Sequence, residues 1–297
     1  MRREELHILL AHEKDGIGWM MSRGLLRSRN VCPKCNGEMH LQTSCKYVDG
    51  FVWRCSRNEC GRPTISVRTG SLFEKSRLPL LTNVKFLYEW ARGESGESVR
   101  FELGISKPTT ILWGQACRDV IEFYYFHMRH DCKIGGPGKI VEIDETIVAR
   151  RKYNVGRVVL QQWLFGGIVR NSVGQRVECF LELVADRTRE TLHEVLQRRV
   201  LSGTFIYSDS WKAYNGLADI GFLHSKVNHS QNFVNPIDSN VHTQNIESFW
   251  SKMKRFFRKH SMKQRIHLDD YILEFLYRSE FDDVFDSLLL HFKMMLK

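Results

Sequence analysis

The 297-residue chain lacks any apolar run of about 18 residues or more, the length that a membrane-spanning helix needs. It also lacks an internal repeat and a low-complexity tract, which argues against a solenoid or a biased tail. The opening MRREELHILLAHEKDG puts charges on both sides of a short apolar patch and makes a poor signal peptide. The expected setting is therefore the cell interior, where the eight Cys are thiols or metal ligands rather than disulfides. Acidic residues are the minority, 34 against 44 basic ones, for a net charge of +10. That balance favours an acidic partner, of which nucleic acid is the commonest. The shortage is sharpest in VHTQNIESFWSKMKRFFRK (241–259), where Glu247 is the single acid on a helix studded with Lys and Arg.

Apolar residues make up 42% of the chain, enough for a real core. The length suggests two domains or one with appendages. Residues 1–30 read as a helical lead-in ending near Gly24. LTNVKFLYEWARG, SVRFELG and KPTTILWGQACRDVIEFYYFHM read as helices. IGGPGK (134–139) is a linker by its Gly and Pro content. After it, KIVEIDETIV, VVLQQWLFGGIVR and VECFLELVA read as strands, with a turn at NSVGQ. RETLHEVLQRRVLSG reads as a helix, TFIYSDSW and HSKVNH as short strands, and YILEFLYRSEFDDVFDSLLLHFKMML as a closing amphipathic helix.

Three patterns carry chemistry. Cys32-Pro-Lys-Cys35 and Cys55-Ser-Arg-Asn-Glu-Cys60 form two short hooks, each followed by a glycine, Gly37 and Gly61, that lets the backbone curl around an ion. Four thiolates suit one tetrahedral Zn²⁺ in a closed, structural site, and a zinc ribbon is the natural reading. Cys45, between the hooks, is an alternative ligand, and Cys117, Cys132 and Cys179 read as small core residues. Second, SVRFELGISKPTTILWGQACRDVI has the form helix, tight turn at Gly104, helix, with Ser106 as N-cap and Pro108 in the first turn. In a helix-turn-helix the start of the second helix enters the major groove, which would present Lys107, Thr109 and Thr110 to DNA; a plain helical hairpin is the alternative. Third, the period of a strand sets Glu142 and Asp144 of VEIDET on one face, opposite Val141 and Ile143. Asp209 ends the apolar run of FIYSDSW, and Glu247 starts the basic helix. Carboxylates are the ligands that Mg²⁺ prefers in two-metal phosphodiester chemistry. A metal would explain one acid on a face that otherwise attracts phosphate.

In order along nearly the whole chain stand CPKCNG with CSRNECG, RTGSLFEKSRLPL, ELGISKPT, VEIDET, WLFGGIVR, YSDSWKAYNGL and HTQNIESFW with its basic tail. Through these motifs the chain resembles the transposases of the Merlin superfamily of cut-and-paste DNA transposons and their bacterial insertion-sequence relatives. The resemblance implies an α/β, RNase H-like mixed-sheet core whose central strand carries the first acid of a DDE triad. Carried over by motif, that triad is Asp144, Asp209 and Glu247, holding two Mg²⁺ or Mn²⁺ ions. Glu142 and Glu145 are neighbours that confuse the assignment, and the roles of His242, Gln244 and Asn245 stay open. The implied reaction is water attack at a transposon end, then attack of the freed 3′-OH on target DNA. Lys252, Lys254, Arg255, Arg258 and Lys259 would hold phosphates. The implied partners are terminal inverted repeats, target DNA and at least a second copy of the chain in the synaptic complex, with no membrane. Nuclear localisation follows for a eukaryotic source and cytoplasmic otherwise; KMKRFFRK suits nuclear import or phosphate binding equally.

The expected organisation is a lead-in (1–30), a zinc ribbon (31–78), a helix-turn-helix-like DNA-binding domain (79–133) and an RNase H-like DDE catalytic domain with C-terminal helices (134–297). The alternatives to an active transposase are a domesticated, catalytically inactive DNA-binding protein derived from one, or a zinc-ribbon transcription factor.

Overall fold

The computed structural model describes residues 1–130, 132–149, 162–170, 177–227, 242–260 and 268–295. The turn expected at NSVGQ lies outside them. Among the described residues the helices are α1 (Arg3–Leu9), α2 (Glu13–Ser22), α3 (Leu80–Ala91), α4 (Gly96–Leu103), α5 (Lys107–His127), α6 (Arg189–Arg199), α7 (Gln244–Lys259), α8 (Leu268–Glu280) and α9 (Val284–Met295). The strands are β1 (Met39–Thr43), β2 (Phe51–Cys55), β3 (Thr64–Ser66), β4 (Ile134–Gly135), β5 (Ile140–Ala149), β6 (Gln162–Val169), β7 (Cys179–Val184), β8 (Val200–Leu201), β9 (Phe205–Asp209) and β10 (Leu223–Val227). The chain forms two compact units, Met1–Tyr124 with Asp283–Lys297, and Tyr125–Asp282. No helix among the described residues is long and apolar enough to cross a membrane.

In the first unit, β1, β2 and β3 form an antiparallel sheet. Its continuation is pinned by a buried ion pair. Arg68 grips Asp49 through two nitrogens, one at 2.6 Å, and its remaining donors reach the carbonyls of Ser76 and Leu78. Asp49 also accepts the Leu80 N–H at the start of α3. This is what the RTGSLFEKSRLPL stretch builds: a charged pair whose burial is offset because four of the five guanidinium N–H groups find acceptors. Gly104 ends α4 in the left-handed conformation (φ 61°), as its place in the helical pair requires.

The closing amphipathic pattern is not one helix. It breaks between Glu280 and Val284, and Asp283 Oδ1 accepts the Asp286 N–H at 2.9 Å to cap the second piece. That second piece, α9, belongs to the first unit, where Phe285 meets Tyr88 edge-on and stacks beside Trp19. The sequence-based division had run the last domain through to 297; aromatic packing on α3 is what draws α9 away from it.

In the second unit, the sheet order is β10-β9-β5-β6-β7. Strands β5, β6 and β7 run antiparallel in sequence, α6 follows, and β9 and β10 join parallel to β5. Strand β6 lies between β5 and β7 and is buried over Leu164–Gly167, as a continuous apolar run requires. One face of the sheet packs Val141, Ile143, Phe165 and Ile206 against Leu192, Val195 and Leu196 of α6. The other packs Leu164 and Leu181 against Ile246, Phe249, Trp250 and Met253 of α7, with α8 beyond. The Gly-Gly pair in β6 serves both faces. A Cβ on Gly166 would stand 2.6 Å from the Trp250 ring, and one on Gly167 would stand 2.4 Å from the Phe180 ring.

Candidate functional site

The cysteine hooks meet. Cys32, Cys35, Cys55 and Cys60 have sulfurs all within 4.8 Å of one another, the one such metal-competent cluster among the described residues. Three of the separations are 3.8 Å (Cys32–Cys60), 3.7 Å (Cys35–Cys55) and 3.3 Å (Cys55–Cys60). A tetrahedron with Zn–S of about 2.3 Å has edges of about 3.8 Å, so the donor set fits one zinc ion. Burial pushes the Cys32 thiol up, but the backbone N–H groups of Lys34 and Cys35 outweigh it and bring it down to about 7. Its neighbour Cys60 is instead pushed up to about 12, first by its hydrogen bond with Cys55 and then by burial. Gly61 takes the left-handed conformation (φ 73°) expected of it. In the first hook Asn36 does so (φ 53°), not Gly37; Gly37 instead leaves room for Cys35 Sγ and the Arg57 guanidinium. Cys45 is exposed and outside the cluster, Cys117 is buried, Cys179 is half-buried, and Cys132 is exposed rather than a core residue.

At the start of α5, Ser106 acts as the N-cap, accepting the Thr109 N–H at 3.4 Å. The Thr109 hydroxyl pairs with that of Ser106, and the Thr110 hydroxyl donates to the Ser106 carbonyl. Both Thr side chains are thus half-buried in the cap, while Lys107, Ile111 and Leu112 are exposed.

The carboxylates lie in the second unit. Glu142 of β5 is opposite Tyr207 of β9 in the parallel register. Asp144 and Asp209 each stand two residues further along, so they project from adjacent strands on the same face. That face carries α7: Trp250 Nε1 donates to Asp144 Oδ2 at 3.0 Å. Glu247 opens the helix, and the Thr243 hydroxyl donates to its Oε1 at 3.1 Å. Burial pushes the Asp144 carboxyl up to about 6; the Glu145 N–H and the Trp250 indole oppose this, and the charges of Asp209 and Glu247 add to it. Asp144 is therefore within electrostatic reach of both other acids.

Residues 135–280 match the family model described as the ISXO2-like transposase domain. The chain is 26% identical over 84 residues to an "Uncharacterized transposase-like protein" of Haemophilus influenzae, covering 28% of this chain and 66% of that protein. It is 27% identical over 177 residues to "Male abnormal protein mab-31" of Caenorhabditis elegans, covering 52% of this chain and 39% of that protein. The chain thus spans less than two thirds of the length of either relative. A transposase family is supported. The matched segment contains all three acids and lies wholly beyond the cysteine hooks.

Within that transposase-like segment, the three carboxylates do not close to the mutual 4.8 Å of the cysteine set. A single small ion would require such closure. The three acids thus form no compact single-ion set of that kind. Clustered acids around a buried member, raising its affinity for a proton, are also the electrostatic condition for holding a cation. Along α7 the buried stripe is Ile246, Phe249, Trp250 and Met253, and Lys252, Lys254, Arg255, Arg258 and Lys259 are exposed.

Several residues at the site carry no assignment from sequence. Arg187 lies between two indoles, 4.1 Å from the Trp163 centroid and 4.6 Å from that of Trp211. Trp211 is 40% exposed, and its backbone N–H donates to Asp209 Oδ1 at 2.9 Å. No periodicity or spacing links residues 163, 187 and 211. Glu145 points to the α6 face, where its Oε1 and the Tyr214 hydroxyl are buried without a well-formed partner. Burial is the main reason its carboxyl is pushed up to about 7.

Proposed function

We propose that this chain is a DDE transposase of Merlin type, an enzyme that cuts phosphodiesters at transposon ends and joins the freed 3′-OH to target DNA. The observation that carries the reading is the common neighbourhood of Asp144, Asp209 and Glu247, three acids separated by 65 and 38 residues of chain. Three antiparallel strands, a helix and two parallel strands, with the first Asp on the central strand, support an RNase H-like core. Two Mg²⁺ or Mn²⁺ ions held by these carboxylates would lower the pKa of the attacking water or hydroxyl and stabilise the leaving oxygen. The protein's own share is orientation. Trp250 fixes one oxygen of Asp144, the Trp211 amide fixes one of Asp209, and Thr243 fixes one of Glu247. The cysteine cluster would hold a structural zinc, and with the α4–α5 pair would recognise the terminal repeats; joining two ends calls for a dimer or larger assembly.

The test is strand cleavage of transposon-end DNA with Mg²⁺ or Mn²⁺, comparing the natural chain with Asp209→Asn. The expected result is cleavage by the natural chain only, with both proteins binding DNA within about twofold of each other. Binding by both and cutting by neither would leave a DNA-binding protein without chemistry.

The exposed face of α7 yields a second expectation. Glu247, Lys254 and Arg258 lie on one stripe (i, i+7, i+11), with the cations about 10 and 16 Å along the axis from the acid. A backbone gripped at Glu247 would continue over them. The double variant Lys254→Ala/Arg258→Ala should reduce the slope of log affinity against log salt by about 1.8, uniformly across DNA sequences. An unchanged slope in a salt titration would remove α7 from the DNA path.

A further inference from the structure

Glu142 is fully buried on β5, two residues before Asp144. Sequence alone leaves it a rival for the triad. Its surroundings assign it another task. A helix start leaves N–H groups without intrahelical partners, and a side chain just before the helix ordinarily accepts them. At α7 the preceding Thr243 makes no such cap, because its hydroxyl is turned to Glu247. The cap comes from the sheet. Glu142 Oε2 accepts the N–H of Asn245 at 2.8 Å and of Ile246 at 3.1 Å. Its Oε1 accepts the Asn245 side-chain amide at 2.7 Å and the Arg170 Nε. Arg170, directly after β6, also donates to the His242 carbonyl at 2.7 Å and lies over the Tyr207 ring at 4.9 Å.

We propose that Glu142 is the positioning residue of this site: it caps α7 from strand β5 and so sets Glu247 at a fixed height against Asp144, with Arg170 and Asn245 as its partners. Both carboxylate oxygens are engaged by four donors, which leaves no ordinary lone pair for a metal and removes Glu142 from the candidate ligands. The carboxylate also sits at the positive end of the α7 dipole, where a negative charge is favoured. One side chain thereby links the strand that carries Asp144, the end of β6, and the first turn of the helix that carries Glu247. Asn245 acquires a role too: its amide locks the cap from the helix side.

This inference rests on the two-metal reading only for its functional consequence, and the experiment separates the two. Mn²⁺ binding to the zinc-loaded full chain is measured by calorimetry, and hydrogen exchange is followed over residues 242–250. The proteins are the parent, Glu247→Gln, Glu142→Gln and Asn245→Ala. Glu142→Gln leaves one acceptor oxygen for four donors. The expected result is exchange at the Asn245 and Ile246 amides faster by about tenfold or more, with Mn²⁺ affinity lower by about tenfold. Asn245→Ala, a change at an exposed side chain, should give about threefold on both readouts. Parent-like exchange and Mn²⁺ affinity in both variants would overturn the proposal. So would parent-like Mn²⁺ affinity despite accelerated exchange, since the cap would then not govern the site. If Glu142→Gln does not fold, Asn245→Ala decides by the same two readouts. If Glu247→Gln binds Mn²⁺ as the parent does, the metal reading fails, and the exchange rates alone judge the cap.

Discussion

On the proposed two-metal reading, replacing Asp144 by Asn should strongly reduce strand cleavage and, above pH 6, make the magnesium-free protein more thermally stable. The two effects share one cause. Burial is the main reason the Asp144 carboxyl is pushed from 3.8 to about 6, and the charges of Asp209 and Glu247 add to it. A carboxyl whose folded-state pKa is raised stabilises the fold at pH values below its unfolded pKa, near 3.8. That stability is lost as pH rises through about 6. At pH 8 without a divalent ion, the ionised side chain is therefore a net burden of about 3 kcal/mol at most. Asparagine removes the charge and keeps an oxygen for the Trp250 indole. A melting temperature higher by several degrees at pH 8, with little difference at pH 4, is the expected outcome. Added Mg²⁺ should raise the melting temperature of the parent and not of the variant. Cleavage should fall by about a thousandfold or more. Residual cutting near the parent rate would remove Asp144 from the chemistry. A flat difference in melting temperature across pH would remove the electrostatic argument.

The second large effect concerns the cysteine cluster. The β1–β3 sheet has strands of five, five and three residues, with Met39, Phe51, Val52 and Trp53 as its main buried apolar side chains. So small a module needs a staple to hold its shape. Structural zinc supplies about 10–16 kcal/mol in comparable small sites at neutral pH. Metal analysis of the purified natural chain should therefore find one zinc, and Cys55→Ser should have none. In that variant the amides of β1–β3 should exchange at once, while those of β5, β6 and β9 stay protected. Cys45→Ser should keep its zinc. A zinc content in Cys55→Ser equal to that of the parent would refute the four-sulfur site.

Much of this was readable along the chain because the physical signals are local. Two short cysteine hooks imply one ion. The alternation in VEIDET puts Glu142 and Asp144 on one face, and the cores on the two sides of the sheet agree. The helical spacing of Phe249, Trp250, Met253 and Phe256 puts them on one inward side of α7; the first three are buried and Phe256 is half-buried. What misled was continuity. The closing apolar pattern hid a break, because Asp283 is as good a cap as it is an exposed helical residue. The Thr109 and Thr110 hydroxyls bond within the start of α5, a pairing that the helix-turn-helix pattern does not itself show.

By itself, then, the sequence determined most of the elements, the two cysteine hooks and the basic face of α7, since each depends on residues within a few turns of one another. Only the tertiary structure decided which acids are neighbours and what Glu142 does. The β5–β9 register brings Asp144 level with Asp209 across 65 residues, and the Glu142 cap draws α7 down from 103 and 104 residues away. Such pairings are selected by sheet order and by how a helix satisfies its first N–H groups, and no local pattern encodes the partner.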